Sequence, residues 1–261
     1  MRVGVYQFSP EHLAVKANLE HIFRRISRVK ADLIVLPELC LTGYLFSTRD
    51  QLLCYAEPVP NGPSCNKIIN FCLQHNINLV LGFAETAGSK IFNSALFVTA
   101  SGSIHTYRKV HLFADEKDLF DPGDLPFPVF SLGGVRIGML VCFDYFFPES
   151  ARTLALRGAQ IVCHPANLIL NYAQSMTITR AQENRIFWLL ANRIGFEEVG
   201  EKKMRFTGQS QIVGPDGRLF YRAGSEKEAL KIVEINPEPA LNKNVTPRND
   251  IVADRRPEMY L

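Results

Sequence analysis

An α/β fold, with strands and helices layered around one core, is what this sequence predicts, and three observations predict it. Short β-rich apolar runs alternate with stretches of helical periodicity over all 261 residues. No Gly/Ser-rich linker or break in composition divides the chain, so a single domain over 1–261 is expected. Two stretches also echo each other. Ala31–Glu38 (ADLIVLPE) resembles Ala159–Asn167 (AQIVCHPAN), and Met1–Val5 (MRVGV) resembles Val135–Met139 (VRIGM). Each half thus carries a strand, a helix and a second strand ending in proline, which hints at an internally duplicated sandwich.

The elements follow in order. Arg2–Phe8 reads as a strand. Apolar residues at helical spacing (Leu13, Val15, Leu19, Ile22, Phe23, Ile26, Val29) predict a helix over 11–29. Leu33–Leu36 is a second strand, bounded by Pro37. Residues 64–75 suggest a helix and Asn78–Phe83 a strand. Asn93–Thr99 and Ser103–Tyr107 flank Ala-Ser-Gly, a hairpin signal. Val135–Val141 is a strand, Glu149–Arg157 a helix and Ile161–His164 a strand. Ile178–Asn192 reads as a long buried helix. Ser210–Val213 and Leu219–Arg222 flank Gly-Pro-Asp-Gly, a strong turn signal. The tail after about Pro237, roughly 238–261, is polar and aperiodic, suited to wrapping the surface or a partner subunit.

Composition narrows the function. Apolar residues make up 47% of the chain, enough for a sizeable core, and the formal net charge is +3, spread without a basic block. Nucleic acid and anionic membranes are therefore not expected partners. No apolar stretch approaches the roughly 20 residues that span a bilayer, and the N-terminus lacks a signal-peptide pattern, so a cytoplasmic location is expected. The six cysteines form no CxxC pair and are expected to be reduced. Walker, GxGxxG, GxSxG and HExxH patterns are missing and the six histidines are scattered, so no metal or organic cofactor is expected.

Chemistry-bearing residues in α/β proteins gather at the carboxyl ends of strands. Three lie there. Glu38 follows Leu-Ile-Val-Leu-Pro and sits between apolar stretches; burial would raise its pKa toward values that suit proton transfer, although a loop carboxylate reads the same way. Lys109 follows a strand and precedes an apolar segment, where its ammonium can face a developing oxyanion or simply join Arg108 and His111 in a basic patch. Cys142 ends an apolar strand. Taken alone it reads as a buried core thiol. Phe143-Asp144 then breaks the strand pattern and Pro148 opens a helix, which makes a strand-to-helix elbow where a thiol is presented beside a free backbone N–H. His111 and His164 flank these segments and read as structural hydrogen-bonding residues.

Taken together the segments resemble the carbon–nitrogen hydrolase (nitrilase) superfamily. Leu-Pro-Glu38-Leu resembles its glutamate motif, Tyr107-Arg-Lys109-Val-His-Leu-Phe its lysine motif, and Cys142-Phe-Asp-Tyr-Phe-Phe-Pro-Glu-Ser-Ala-Arg152 its cysteine motif. Lesser marks are Thr42-Gly43-Tyr44, Asn93-Ser94-Ala95, Pro122-Gly123-Asp124, His164-Pro165-Ala166-Asn167, Arg180-Ala181-Gln-Glu183-Asn184 and Arg255-Arg-Pro-Glu-Met-Tyr260. They span almost the whole chain in order.

The resemblance implies a four-layer α-β-β-α sandwich with internal pseudo-symmetry and a Glu38–Lys109–Cys142 triad. It implies a second glutamate in the loop before Pro122, for which Glu116 fits, with Asp115 as the neighbouring competitor. Lys109 and the Phe143 amide would form the oxyanion hole, and Tyr44, Tyr145, Asn167 and Tyr172 would wall the substrate pocket. The implied partners are a small-molecule amide or nitrile substrate and a second copy of the chain, as a homodimer or higher homo-oligomer. The implied reaction is hydrolysis of a small amide to acid and ammonia through a cysteine thioester. Phe143-Asp144 after the cysteine, where the nitrilase branch usually has Trp-Glu, leans toward amidases. The wider cysteine motif also resembles archaeal-type nitrilases of small aliphatic dinitriles, and N-carbamoyl compounds suit the same attack. Acyl transfer to an amine or hydroxyl, or a catalytically silent binding member of the fold, are the other readings.

Overall fold

The computed structural model describes residues 1–260. The first half runs β1 (Arg2–Gln7), α1 (Val15–Ile26), β2 (Leu33–Val35), α2 (Arg49–Leu53), β3 (Glu57–Pro58), α3 (Pro63–His75), β4 (Asn78–Ala87), β5 (Lys90–Val98), β6 (Ile104–Arg108) and α4 (Glu116–Leu119). The second half runs β7 (Val129–Leu132), β8 (Val135–Met139), α5 (Pro148–Leu156), β9 (Ile161–Ala166), α6 (Ala173–Asn184), β10 (Phe187–Asn192), β11 (Phe196–Val199), β12 (Lys202–Arg205), β13 (Gln211–Val213), β14 (Leu219–Arg222) and β15 (Ala229–Glu234). The small pair β16 (Asn244–Thr246) and β17 (Asn249–Asp250) lies in the tail.

Two mixed sheets result. One has the order β15-β1-β2-β4-β5-β6, with β3 beside β4; the other has the order β14-β13-β10-β9-β8-β7. Read from β15 and from β7, both follow one pattern, antiparallel, parallel, parallel, antiparallel, antiparallel. The sequence echo falls on matching strands in matching register: Val3 pairs Leu33 in one sheet, and Ile137 pairs Ile161 in the other. The hinted duplication is therefore a pseudo-symmetry of the fold.

Strand alternation builds the layers. Val3, Val5, Leu33, Val35, Val80, Ala95 and Phe97 turn inward onto Ile137, Met139, Cys163 and Leu189 of the facing sheet. The opposite face of the first sheet, with Tyr6, Ile34, Leu79 and Leu81, packs on Leu19, Ile22 and Ile26 of α1 and Ile68 and Phe71 of α3. On the far side, Ala151, Leu154, Ala155, Ala173 and Ala181 bring α5 and α6 onto the second sheet. The arrangement is the four-layer α-β-β-α sandwich.

One expected element is corrected. The long helix over Ile178–Asn192 is instead α6, which ends at Asn184, followed by strand β10. Arg185 takes a left-handed conformation (φ 48°) and stops the helix. The run Phe-Trp-Leu-Leu-Ala is a strand covered on both faces, between β9 and β13, so it lacks the alternation that marks half-exposed strands. The first helix is also shorter than predicted, because Leu13 has φ 57° and the chain enters α1 only at Val15. No helix among the described residues is long and apolar enough to cross a membrane.

Candidate active site

Three strand ends converge. After β2, Leu36 N donates to Val80 O (2.8 Å) and Gly82 N to Pro37 O (3.0 Å), fixing the Pro37–Glu38 turn against β4. The approach is close enough to require glycine: a Cβ on Gly82 would lie 2.2 Å from Glu38 Cα. After β6, Lys109 N donates to Asn93 O and Gly123 N to Lys109 O, both at 2.8 Å. Gly123 is confined in the same way, its absent Cβ falling 2.1 Å from Arg108 O. After β8 the chain turns into the 3₁₀ segment Cys142–Phe146, with Cys142 at φ 42°. A non-glycine residue in that region is uncommon and strained, and such strain concentrates where a side chain must be presented in one direction. The Phe143 amide lies in the first turn of this segment, where N–H groups precede any partner of their own helix.

The buried charges form one cluster. Lys109 Nζ donates to Glu38 Oε1 and Glu116 Oε1, both at 2.7 Å, and neither the lysine nor the Glu38 side chain has any exposed surface. Glu38 Oε1 also accepts from Asn93 Nδ2 (2.7 Å), while Glu38 Oε2 is buried without a protein partner. Glu116 is held further by Tyr44 OH (2.8 Å) and the Phe113 amide (2.9 Å). Asp115, its competitor in the sequence, points to solvent and pairs with Lys202 at 2.6 Å.

Burial alone would push the Lys109 ammonium down; Glu116 and Glu38 more than reverse this, so it stays charged. Burial raises the Glu116 carboxyl, opposed by Lys109 and reinforced by Glu38. The Cys142 thiol is pushed well above its ordinary range by burial and then by Glu38, with Lys109 opposing. A thiol in this state is protonated at neutral pH and needs an adjacent base before it can attack.

A second layer of contacts holds these groups. Asp144 is fully buried. Its Oδ2 accepts from Tyr107 OH (2.8 Å) and Val141 N (3.0 Å), and its Oδ1 from His111 N (3.1 Å) and His111 Nδ1 (2.7 Å). One carboxylate thus ties the elbow of Cys142 to residues two before and two after Lys109. His164 Nε2 donates to Cys142 O (3.0 Å), and its Nδ1 accepts from Trp188 Nε1 (3.1 Å). Indole N–H can only donate and a carbonyl can only accept, so both partners demand the neutral ring. Burial agrees, holding the imidazole down at about 3. Glu197 accepts from Tyr44 N (2.9 Å), Leu45 N (2.8 Å) and Arg193 Nη1 (2.5 Å), fixing the segment that brings Tyr44 to Glu116.

The Cys142 thiol opens on a cleft of about 20 Å³ walled by Phe113, Phe143, Tyr145, Asn167, Ile169 and Leu170. A larger groove of about 740 Å³, between the start of α1 and the Cys54–Pro63 segment, carries none of the clustered groups. Of the sequence-predicted residues, Glu38, Lys109, Glu116 and Tyr44 share one hydrogen-bonded network, and Cys142, Phe143, Tyr145 and Asn167 share the cleft. Tyr172 is not among the residues that wall the cleft: it precedes α6 and is 46% exposed. Sequence reasoning missed Asp144 as a clamp and the Arg193–Glu197 pair. Asp144 was visible only as a break in the strand pattern, and the pair reads as an ordinary charged loop.

Comparison with known proteins agrees with this architecture. The carbon–nitrogen hydrolase family matches residues 2–240. A protein named nitrilase from Pyrococcus abyssi is 39% identical over all of this chain and 99% of its own length. An (R)-stereoselective amidase from a Pseudomonas species is 35% identical over 90% of this chain and 85% of its own. A solved structure of an amidase from Nesterenkonia sp. AN1, a variant showing Michael addition of acrylamide at its active-site cysteine, superposes with a TM-score of 0.81 at 28% identity, covering 99% of this chain and 97% of that one. The chain is a member of the carbon–nitrogen hydrolase family, an enzyme of the nitrilase superfamily.

Proposed function

We propose that this enzyme hydrolyses a small amide to its carboxylic acid and ammonia through a thioester on Cys142. The observation that carries the reading is the fully buried Lys109 shared by Glu38 and Glu116, whose charges act on the buried Cys142 thiol. Glu38, through its unpartnered Oε2, takes the thiol proton as the sulfur attacks the amide carbon. Lys109 Nζ and the Phe143 amide receive the oxyanion, preformed donors of a kind whose loss typically costs roughly 10²–10³ in rate. Glu38 returns its proton to the departing nitrogen, the C–N bond breaks and the thioester remains. Water, deprotonated by Glu38, then attacks; the acid leaves and the thiol regains its proton. Glu116 keeps Lys109 in place and charged.

Ammonia release over a panel of small amides, nitriles and N-carbamoyl compounds tests this, with Cys142→Ala and Glu38→Gln as controls. An acyl adduct on Cys142 in rapidly quenched wild-type protein, seen by mass spectrometry, is the expected intermediate, and the Glu38→Gln protein should form none from an amide. Ammonia release by the Cys142→Ala protein at the wild-type rate would overturn the assignment. Nitrile hydrolysis is the second reading, favoured by the whole-length similarity to the Pyrococcus abyssi protein. Hydroxylamine trapping separates hydrolysis from acyl transfer.

A cytoplasmic homodimer completes the proposal. The tail beyond Pro237 is largely exposed, including Leu241, Val245, Met259 and Tyr260, and it borders an open groove with Arg152 of α5 and Glu183 of α6. These surfaces suit subunit contact, and light scattering on the purified protein reads the mass directly.

A further inference from the structure

The cleft next to Cys142 contains polar atoms that the proposed chemistry leaves unused. Asn167 is 3% exposed, and neither its Oδ1 nor its Nδ2 has a protein partner. Tyr145 is 1% exposed and its hydroxyl is likewise unpartnered. Both residues line the cleft together with Phe113, Phe143, Ile169 and Leu170. Buried polar groups in folded proteins are almost always hydrogen-bonded, so an unpartnered donor–acceptor amide and an unpartnered hydroxyl, both on residues that line the cleft, point to a ligand that supplies the bonds.

No charged side chain serves that wall. Arg180, behind Tyr145, is spent on the Tyr145 and Phe146 carbonyls and on Glu183. Asp115 and Lys202 neutralise each other at the surface beyond Glu116, and His111 is bonded to Asp144. A carboxylate or ammonium on the acyl chain would lose its water here and find no counter-charge, whereas a neutral group meets both a donor and an acceptor.

We propose that the substrate's acyl part is short and uncharged and carries a second neutral hydrogen-bonding group, of carboxamide type, held by Asn167 and Tyr145. This rests on the amide-hydrolase reading above and narrows it. For a diamide, one C–N bond breaks, one C–O bond forms from water, and the nitrogen leaves as ammonia while the second carboxamide stays intact. Its product bears a carboxylate, which the uncharged wall releases.

Four compounds of nearly the same shape test the idea: malonamide, isovaleramide, malonamate and 2-amidinoacetamide. They place a carboxamide, an isopropyl group, a carboxylate and a cation at one position. We expect kcat/KM for malonamide to exceed isovaleramide by about tenfold and both charged compounds by at least about a hundredfold, since sites that bind a polar group reject analogues that leave it unpaired. Asn167→Leu should bring the malonamide-to-isovaleramide ratio close to one; Tyr145→Phe should lower it and serves as the second variant if the first does not fold. Either charged compound matching malonamide, or a ratio unchanged in both variants, overturns the proposal and leaves the hydrolase reading standing. Activity on other amides with none on malonamide does the same. Absence of ammonia from every amide overturns both.

Discussion

Replacing Gly82 with alanine tests whether backbone packing beneath Glu38 sets the rate. A Cβ at this position would fall 2.2 Å from Glu38 Cα, 2.4 Å from Leu39 N and 2.6 Å from Glu38 C. All three are backbone atoms, so no side chain can swing aside. Ordinary contact needs about 3.4 Å, so the Glu38 turn or β4 must move by roughly 1 Å, and a displacement of that size at a reacting group costs on the order of 10²-fold in rate. Overpacking of this kind destabilises by about 1–3 kcal/mol, and in a chain of this size each kcal/mol lowers Tm by about 2–4 °C. Ammonia release and thermal melts of the variant read both effects. Gly224 is the control, because a Cβ there meets nothing within 4 Å; Gly224→Ala should behave as wild type. Gly82→Ala with kcat/KM within about twofold of wild type and an unshifted melt would refute the reasoning, since the ~1 Å displacement would then have no consequence.

Three further outcomes follow from the contacts. Asp144→Asn puts an amino group where a carboxylate accepts four hydrogen bonds; stability should fall by about 2–4 kcal/mol in urea titration, and kcat by at least about tenfold through the Cys142 elbow. Glu197→Gln breaks a buried pair with Arg193 whose side chains are 3% and 1% exposed; a loss of about 3–5 kcal/mol is expected, with slower turnover because Tyr44 is released from Glu116. The third concerns pH. His164 is held down at about 3, chiefly by burial, so the folded state keeps it neutral while the unfolded chain protonates it. Its contribution is complete above the unfolded value near 6.5 and is lost as pH falls from there toward about 3, at about 1.4 kcal/mol per pH unit. Unfolding free energies measured across that window should show this slope, and His164→Gln should flatten it.

Much of the fold was legible because strand ends, prolines and glycines punctuate the chain locally. Leu33–Leu36 and Ile161–His164 stand out as short apolar runs closed by Pro37 and Pro165, and both are strands. Phe187–Ala191 misled because a strand buried on both faces has the same unbroken apolar character as a core helix, and only the left-handed Arg185 separates it from α6. In the site, Glu38, Lys109 and Cys142 could be picked out by their positions at strand ends. Glu116 was preferred to Asp115 through the resemblance alone, and in space one carboxylate turns in to Lys109 and the other out to Lys202. Asp144 and Glu197 were invisible as supports, since their roles depend on backbone amides and on a histidine ring brought together by the two sheets.

The matched registers of the two halves also describe a division of labour. In the alignment that pairs Val3 with Ile137 and Leu33 with Ile161, the counterpart of Glu38 is Ala166 and the counterpart of Cys142 is Phe8. Neither repeat therefore contains both an acid and a thiol at the corresponding strand ends. The two halves are alike in backbone and unlike in chemistry: one presents the carboxylate of Glu38 and the other the thiol of Cys142. The seam between the sheets is where the two complementary halves meet, and the Asp144 clamp joins them across it.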